Sequence, residues 1–165
     1  MKPDLCTIPL DGIQLVEASA GTGKTHVIVG LYLRALAVLA LPVESLLLLS
    51  YTVAATAELR LRVQRRLLQA AAAAAAAADA DPELAAILDE ARLAQRESGS
   101  ALAFRLAQAA RALDRARIQT IHGWARGIAA DEALALGLPL DAVFVEDESV
   151  AARQALADAW RATLE

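Results

Sequence analysis

The residues best suited to chemistry are the eight from Ala18 to Thr25, which read Ala-Ser-Ala-Gly-Thr-Gly-Lys-Thr. Glycines, a lysine and a threonine at this spacing describe a cradle for phosphate. Gly21 and Gly23 let the backbone curl so that successive N–H groups converge on one anion. A helix beginning near Lys24 adds the positive end of its dipole. Lys24 can then reach the β- and γ-phosphates of a nucleoside triphosphate, and the Thr25 hydroxyl can ligate Mg²⁺. The triphosphate-binding loop is therefore read as Ala18, Ser19, Ala20, Gly21, Thr22, Gly23, Lys24 and Thr25, with Lys24 and Thr25 as the residues that act on the phosphates and the metal. The common pattern G-x-x-x-x-G-K-[ST] begins on glycine where this chain has Ala18. A methyl group is tolerated there as long as φ stays negative.

Such a loop works only between a strand and a helix. The apolar run at Ile13 to Val16 predicts a strand over residues 13–17, with Gln14 as a strand residue. Residues 24–40 read as a helix that ends before Pro42. Leu46 to Leu49 is a continuous apolar run, the pattern of a buried parallel strand. From Val53 onward, Leu59, Val63 and Leu67 recur every four residues and predict a helix. Nine consecutive alanines, residues 70–78, let that helix continue; they are expected to offer little to pack or recognise. Asp79 to Pro82 breaks the helix, and Pro82 suits the first turn of the next. Two helices follow, over 83–97 and 101–114, joined at Ser98-Gly99-Ser100. The second carries an apolar stripe of Leu102, Leu106, Ala109 and Leu113.

Arg117 to Ile121 reads as a third strand, and His122-Gly123-Trp124 opens a helix to about Leu136. Gly137, Pro139 and Asp141 mark a loop before a short extended run, Ala142 to Val145. A last helix over about 149–164 puts Leu156, Trp160 and Leu164 on one stripe. Strands alternating with helices imply an α/β fold with a parallel sheet.

Composition narrows the class. The chain has 165 residues, enough for one domain with a respectable core, and 57% are hydrophobic but only 4% aromatic. Arg34, Pro42 and Glu44 interrupt the longest apolar candidate before it reaches the roughly 18 residues of a membrane span. Asp4, Pro9 and Asp11 break any signal-peptide core. The lone Cys6 excludes an internal disulfide and suits a reducing cytoplasm, the expected location. A net charge of −4 exerts no global pull on nucleic acid. The basic clusters Arg60, Arg62, Arg65, Arg66 and Arg105, Arg111, Arg115, Arg117 are read mostly as solvated or intramolecular.

Three separated segments share one likeness. Leu15 to Thr25 reads L-V-E-A-S-A-G-T-G-K-T and runs on through Leu31-Tyr32-Leu33-Arg34; residues 50–60 read S-Y-T-V-A-A-T-A-E-L-R; residues 118–124 read I-Q-T-I-H-G-W. Together they resemble the N-terminus of the beta subunits of bacterial exodeoxyribonuclease V, the RecB family of UvrD-like superfamily 1 DNA helicases and nucleases. AddA-type helicase–nucleases look similar, but less so. The tail agrees too, at Gly137 to Asp141, Val145 to Ser149 and Trp160-Arg161.

The resemblance implies a phosphate-loop NTPase (RecA-like) sheet with flanking helices. It would form an incomplete first motor domain, with core portions 1–69 and 115–165 and a helical insertion over 70–114. It also implies ATP and Mg²⁺ as cofactors. Thr52 would contact phosphates of single-stranded DNA; Thr120 and His122 would form a second DNA-contacting motif, with Trp124 at its aromatic position. Single-stranded or duplex DNA and the gamma and alpha subunits of the exodeoxyribonuclease are the implied partners, and recombinational double-strand break repair is the implied setting.

Departures from the family are specific. The motif commonly written Thr-Phe-Thr-Glu is Ser50-Tyr51-Thr52-Val53 here, which loses a polar group at 53. Gln14 stands too close to the loop to serve as an adenine-reading glutamine. Asp147 and Glu148 imitate the acidic motif that holds Mg²⁺ in this superfamily, yet the family carries the same Val-Glu-Asp-Glu string ahead of its true one. The chain ends at Glu165 without a glycine cap and reads as cut off. With the loop intact but without the acidic motif and the second motor domain that hydrolysis in this superfamily needs, weak nucleotide binding at best and negligible hydrolysis are expected of it alone. Two other readings stand beside it: a small nucleotide kinase-like phosphotransferase using Asp147 and Glu148 for metal, and a non-enzymatic module whose alanine-rich helices dock a protein and whose loop is residual.

Overall fold

The computed structural model describes residues 4–17, 23–76, 80–137, 139 and 149–164, and it divides into two units, Met1–Ile121 and His122–Glu165. In the first unit, helix α1 (Lys24–Val38) leads to strand β1 (Leu47–Ser50). Helices α2 (Val53–Ala76), α3 (Pro82–Gln95) and α4 (Gly99–Arg111) then carry the chain to strand β2 (Arg117–Thr120). The two strands pair in parallel, in register from Leu47 against Arg117 to Ser50 against Thr120. A parallel pair requires a long crossover, and α2, α3 and α4 supply it. The α/β class read from the sequence is the class observed.

One apolar core fills this unit. The stripe Leu59, Val63 and Leu67 is buried on α2, as its spacing requires. The alanine tract departs from expectation: Ala70, Ala71, Ala73 and Ala74 are buried core residues. They act through their small size, which lets α4 pack close against α2 with Leu102, Leu106 and Ala110 turned inward. Gly99 extends this close packing, since a Cβ there would stand 2.7 Å from the carbonyl oxygen of Ala74. Leu84, Ile87 and Leu88 of α3 and Leu33 and Leu36 of α1 join the same cluster. Residues 80–114 therefore share one core with α1, α2 and β2.

Helix boundaries follow local chemistry. Asp81 caps α3 by accepting from the Leu84 amide at 2.9 Å, with Pro82 at the first helical position. Ser98 caps α4 by accepting from the Ala101 amide at 3.2 Å. The expected linker residues Gly99 and Ser100 thus lie within α4.

The strand expected over residues 13–17 is not formed. A strand is stabilised by a ladder partner and a covered face; β1 and β2 pair with each other, and Ile13 and Leu15 are 99% and 83% exposed. Gln14 is accordingly no strand residue, and its amide donates to the Asp11 carbonyl at 3.0 Å. What anchors this end of the chain is the short 3₁₀ turn Leu5–Thr7, whose Leu5 is fully buried beside Gly30 of α1.

The second unit continues helix α5 (Ile121–Asp131) into turns over residues 132–137 and carries helix α6 (Ser149–Leu164). The helix expected to reach Leu136 stops at Asp131. The extended run at 142–145 lies outside the described residues, as do Asp147 and Glu148. No helix among the described residues is long and apolar enough to cross a membrane.

Candidate nucleotide and nucleic-acid site

Ala18, Ser19, Ala20, Gly21 and Thr22 lie outside the described residues; Gly23, Lys24 and Thr25 show how the motif ends. Gly23 is the residue before α1 and has φ of 95°, a left-handed conformation natural to glycine. The first closed helical bond runs from the Val27 amide to the Gly23 carbonyl at 3.0 Å, so the amides of Lys24, Thr25 and His26 precede the ladder. Gly23 offers no side chain to cap them, and the first turn of α1 holds no acidic residue. Lys24 is exposed, and no carboxylate among the described residues pairs with it. Free amides, a positive dipole end and an unpaired ammonium are what an incoming phosphate needs. For Mg²⁺ the arrangement offers the Thr25 hydroxyl, and no cluster of His, Cys, Asp or Glu among the described residues is placed to hold a metal.

The rest of α1 is fastened on several sides. Arg34 is 6% exposed among the apolar residues of the later turns of α1, and its guanidinium donates to Glu90 at 2.7 and 2.6 Å. The same group donates to the carbonyls of Leu5, at 2.9 Å, and Ile8. Its pKa is raised above the ordinary arginine value, chiefly by the hydrogen bond to Glu90. At the C-terminal end, Arg105 donates to the carbonyls of Leu36 and Ala37 at 2.7 and 2.8 Å, and Gln95 donates to that of Val38 at 2.7 Å. These bonds satisfy carbonyls that a helix end leaves open. At the N-terminal end, His26 Nε2 lies 3.0 Å from Glu83 Oε2. Glu83 also accepts from Arg66, which bridges to Asp81 at 2.7 Å. One polar network thus links the first turn of α1 to α2 and to the start of α3.

Two of the residues expected to contact nucleic acid, Thr52 and Thr120, fall at one end of the sheet. Ser50 and Thr120 are register partners at the C-terminal ends of β1 and β2, and Thr52 follows two residues on. In open parallel sheets, ligands bind outside the carboxyl ends of the strands. Thr52 is exposed and caps α2, its hydroxyl accepting from the Ala55 amide at 3.1 Å. In the second unit His122 is exposed and Trp124 half-buried. The turn at Lys24 and Thr25 is placed differently. Thr25 faces Arg62, Arg65, Arg66 and Gln69 of α2 across a cleft. Arg62 is ten positions beyond Thr52, about 15 Å along a helix axis. The structure brings Thr52 and Thr120 to one end and sets Thr25 against the middle turns of α2.

Residues 5–162 match the UvrD/REP helicase N-terminal domain. The chain belongs to the UvrD/REP helicase family. It is 37% identical over 166 residues to the RecBCD enzyme subunit RecB of Escherichia coli (strain K12), covering 96% of this chain and 14% of that protein. The namesake of Buchnera aphidicola subsp. Schizaphis graminum (strain Sg) is 31% identical over 169 residues, covering 97% and 14%. That of Haemophilus influenzae (strain ATCC 51907 / DSM 11121 / KW20 / Rd) is 33% identical over 152 residues, covering 87% and 13%. The chain therefore spans about one seventh of the length of these RecB relatives.

In this helicase-family chain most arginines of the two basic clusters act as internal ties. Arg60 donates to the carbonyls of Leu113, Ala116 and Ile118, the last at 3.0 Å. Arg115 pairs with Glu44 at 3.1 Å. The ties around the motif helix that pattern reading missed are those of Arg34 and the His26–Glu83–Arg66 network. Arg34 carried a signal, a charge inside the apolar run that follows His26; the network carried none, because its members are distant in sequence. Cys6 is a half-buried thiol whose pKa is pushed up, mainly by burial, which disfavours a reactive thiolate. A cavity of about 500 Å³ lies at the other end of α1 between Ala40–Glu44 and the end of α4, and none of the motif residues lines it.

Proposed function

We propose that the chain is the ATP-binding portion of a RecB-like, ATP-dependent DNA helicase and exonuclease acting in recombinational double-strand break repair. The observation that carries this reading is the start of α1: a left-handed Gly23 followed by an unpaired Lys24 and by Thr25, at the end of a phosphate-loop sequence. The residues fit a phosphate group. Ala18 to Thr25 would wrap a triphosphate, Lys24 would neutralise its outer oxygens, and Thr25 would contribute one oxygen to Mg²⁺. Bound ATP supplies the phosphoanhydride whose cleavage drives strand movement in such motors.

Thr52 and Thr120 would take the sugar–phosphate backbone of single-stranded DNA. Hydroxyls and amides at strand-to-helix turns grip phosphates without reading sequence. His122 and Trp124 would complete the contact, the indole stacking on a base. Gamma and alpha subunits of exodeoxyribonuclease V are the protein partners under this reading. Under this reading the chain alone binds nucleotide without rapid turnover, in keeping with a Thr25 that faces the arginines of a cleft.

Calorimetry of the 165-residue chain with Mg-ATP tests the proposal. Binding is expected, and Lys24→Ala is expected to weaken it by about 1.5–3 kcal/mol, the scale of a charged hydrogen bond. A folded sample that gives no heat would refute the ATP-binding reading. Turnover near about 10 per second with single-stranded DNA would refute the claim of a chain that binds without hydrolysing.

A further inference from the structure

The arginines on α2 differ in what holds them. Arg66 is 14% exposed and fixed by Asp81 and Glu83. Arg62 pairs with Glu58 one turn earlier, with both side chains at least half exposed. Arg65 is exposed, and no carboxylate or carbonyl among the described residues engages it. All three, with Gln69, form one wall of a cleft of about 210 Å³ whose other wall is Thr25, His26 and Val29. The cleft therefore opens at the last residue of the phosphate-loop motif.

We propose that this cleft is the second wall of the nucleotide's anion site, with Arg65, assisted by Arg62, gripping the polyphosphate from the side opposite Thr25. The proposal rests on the ATP-binding reading above and adds to it residues outside the motif. Charge and size both support it. The acids of this region are already used: Asp81 and Glu83 neutralise Arg66, and Glu83 also holds His26. That leaves the Arg65 guanidinium as uncompensated positive charge. Arg62 is readily recruited, because an exposed pair one turn apart is weakly held. A guanidinium presents two parallel N–H donors that match two phosphate oxygens, and Gln69 adds a neutral donor. A cleft of this volume is below the roughly 300–1,000 Å³ of sites that enclose a whole small molecule. It admits phosphoryl groups and leaves the base outside, so the site reads charge and not base identity.

The test is binding of Mg-ATP, Mg-GTP and Mg-tripolyphosphate to the 165-residue chain, its Arg65→Ala and Arg65→Lys variants, and Arg111→Ala as a control in the other cavity. Arg65→Ala is expected to weaken all three ligands about tenfold. Arg65→Lys should recover part of the loss and Arg111→Ala should lose nothing. Melting temperature should not move, because Arg65 supports nothing in the fold. If the wild-type chain binds none of the ligands, the ATP-binding reading falls and takes this proposal with it. If it binds them, Lys24→Ala weakens them and Arg65→Ala does not, only this proposal is overturned. An Arg65→Ala variant that loses affinity for an oligodeoxynucleotide while keeping tripolyphosphate would also overturn it.

Discussion

The unit Met1–Ile121 and the unit His122–Glu165 draw on similar residues to different ends. The first buries leucine and valine from α1, α2, α3 and α4 around a run of alanines, and every helix in it has a partner face. In the second, Ala133 is the one buried side chain among the described residues, while Leu134, Leu136, Leu156 and Trp160 are exposed. The stripe on α6 has the period of a core-facing helix. Period alone buries nothing; a second apolar surface must be present to receive it. The difference bears on the proposed function, because Thr52 and Thr120 sit beside a packed frame whereas His122 and Trp124 begin a unit whose described side chains are mostly exposed.

The largest effect that would sharpen this contrast comes from truncation. Leu102 is fully buried between α4 and α2, and Leu102→Ala should destabilise the chain by about 2–5 kcal/mol, through lost transfer energy and the cavity left behind. Trp160→Ala removes a larger side chain, yet should change stability by less than about 0.5 kcal/mol because that side chain is in water. Urea denaturation of both variants gives the comparison. Equal losses would mean that α6 is packed as tightly as α4.

A smaller effect concerns charge. Arg34→Ala strips the partner from Glu90 and from two carbonyls near the N-terminus. About 3 kcal/mol is expected, the low end for a broken buried pair, because the Glu90 side chain is 31% exposed. Its counterpart in the second unit, Arg161 with Asp158, is 73% and 63% exposed, and Arg161→Ala should cost a few tenths of a kcal/mol at most. Thermal melts of the two variants check the ranking. A similar shift in both would erase the distinction between a buried tie and a surface pair.

These contrasts follow what was legible in the sequence. Leu59, Val63 and Leu67 announced their helix face because a 3.6-residue period survives any tertiary arrangement. The parallel strand at 47–50 showed as a short apolar run before Ser50-Tyr51-Thr52, and the strand at 117–120 lies within the segment read as extended over Arg117 to Ile121. Gly23, Lys24 and Thr25 were readable because phosphate chemistry restricts residue type at fixed spacing. The strand at 13–17 was misread, since a strand's existence depends on a neighbour that local pattern does not specify. The alanines of 70–76 were undervalued because small residues signal close approach only when the opposing helix is known. The placement of Thr25 against Arg62, Arg65 and Gln69 depends on how α1 crosses α2, which no window of sequence contains.

The smallest effect isolates one link between α1, α2 and α3. Asp81 has its pKa lowered, first by the hydrogen bond from Arg66 and further by the Leu84 amide it caps; burial opposes both. A carboxylate with a depressed folded-state pKa stabilises the fold above its unfolded value, about 3.9, and that contribution is lost as pH falls through the lower folded value. Asp81→Asn keeps the cap, because asparagine accepts from the same amide equally well, and removes the charge facing Arg66. The variant should therefore be slightly less stable at pH 7 and equal to the wild type once Asp81 is protonated, giving a shallower acid limb. With the side chain 49% exposed, the difference at pH 7 should stay below about 1 kcal/mol. Urea midpoints at pH 7 and pH 3 measure it. A variant that runs parallel to the wild type at both pH values would show that the Arg66 pair carries none of the stability holding the start of α3 beside the first turn of α1.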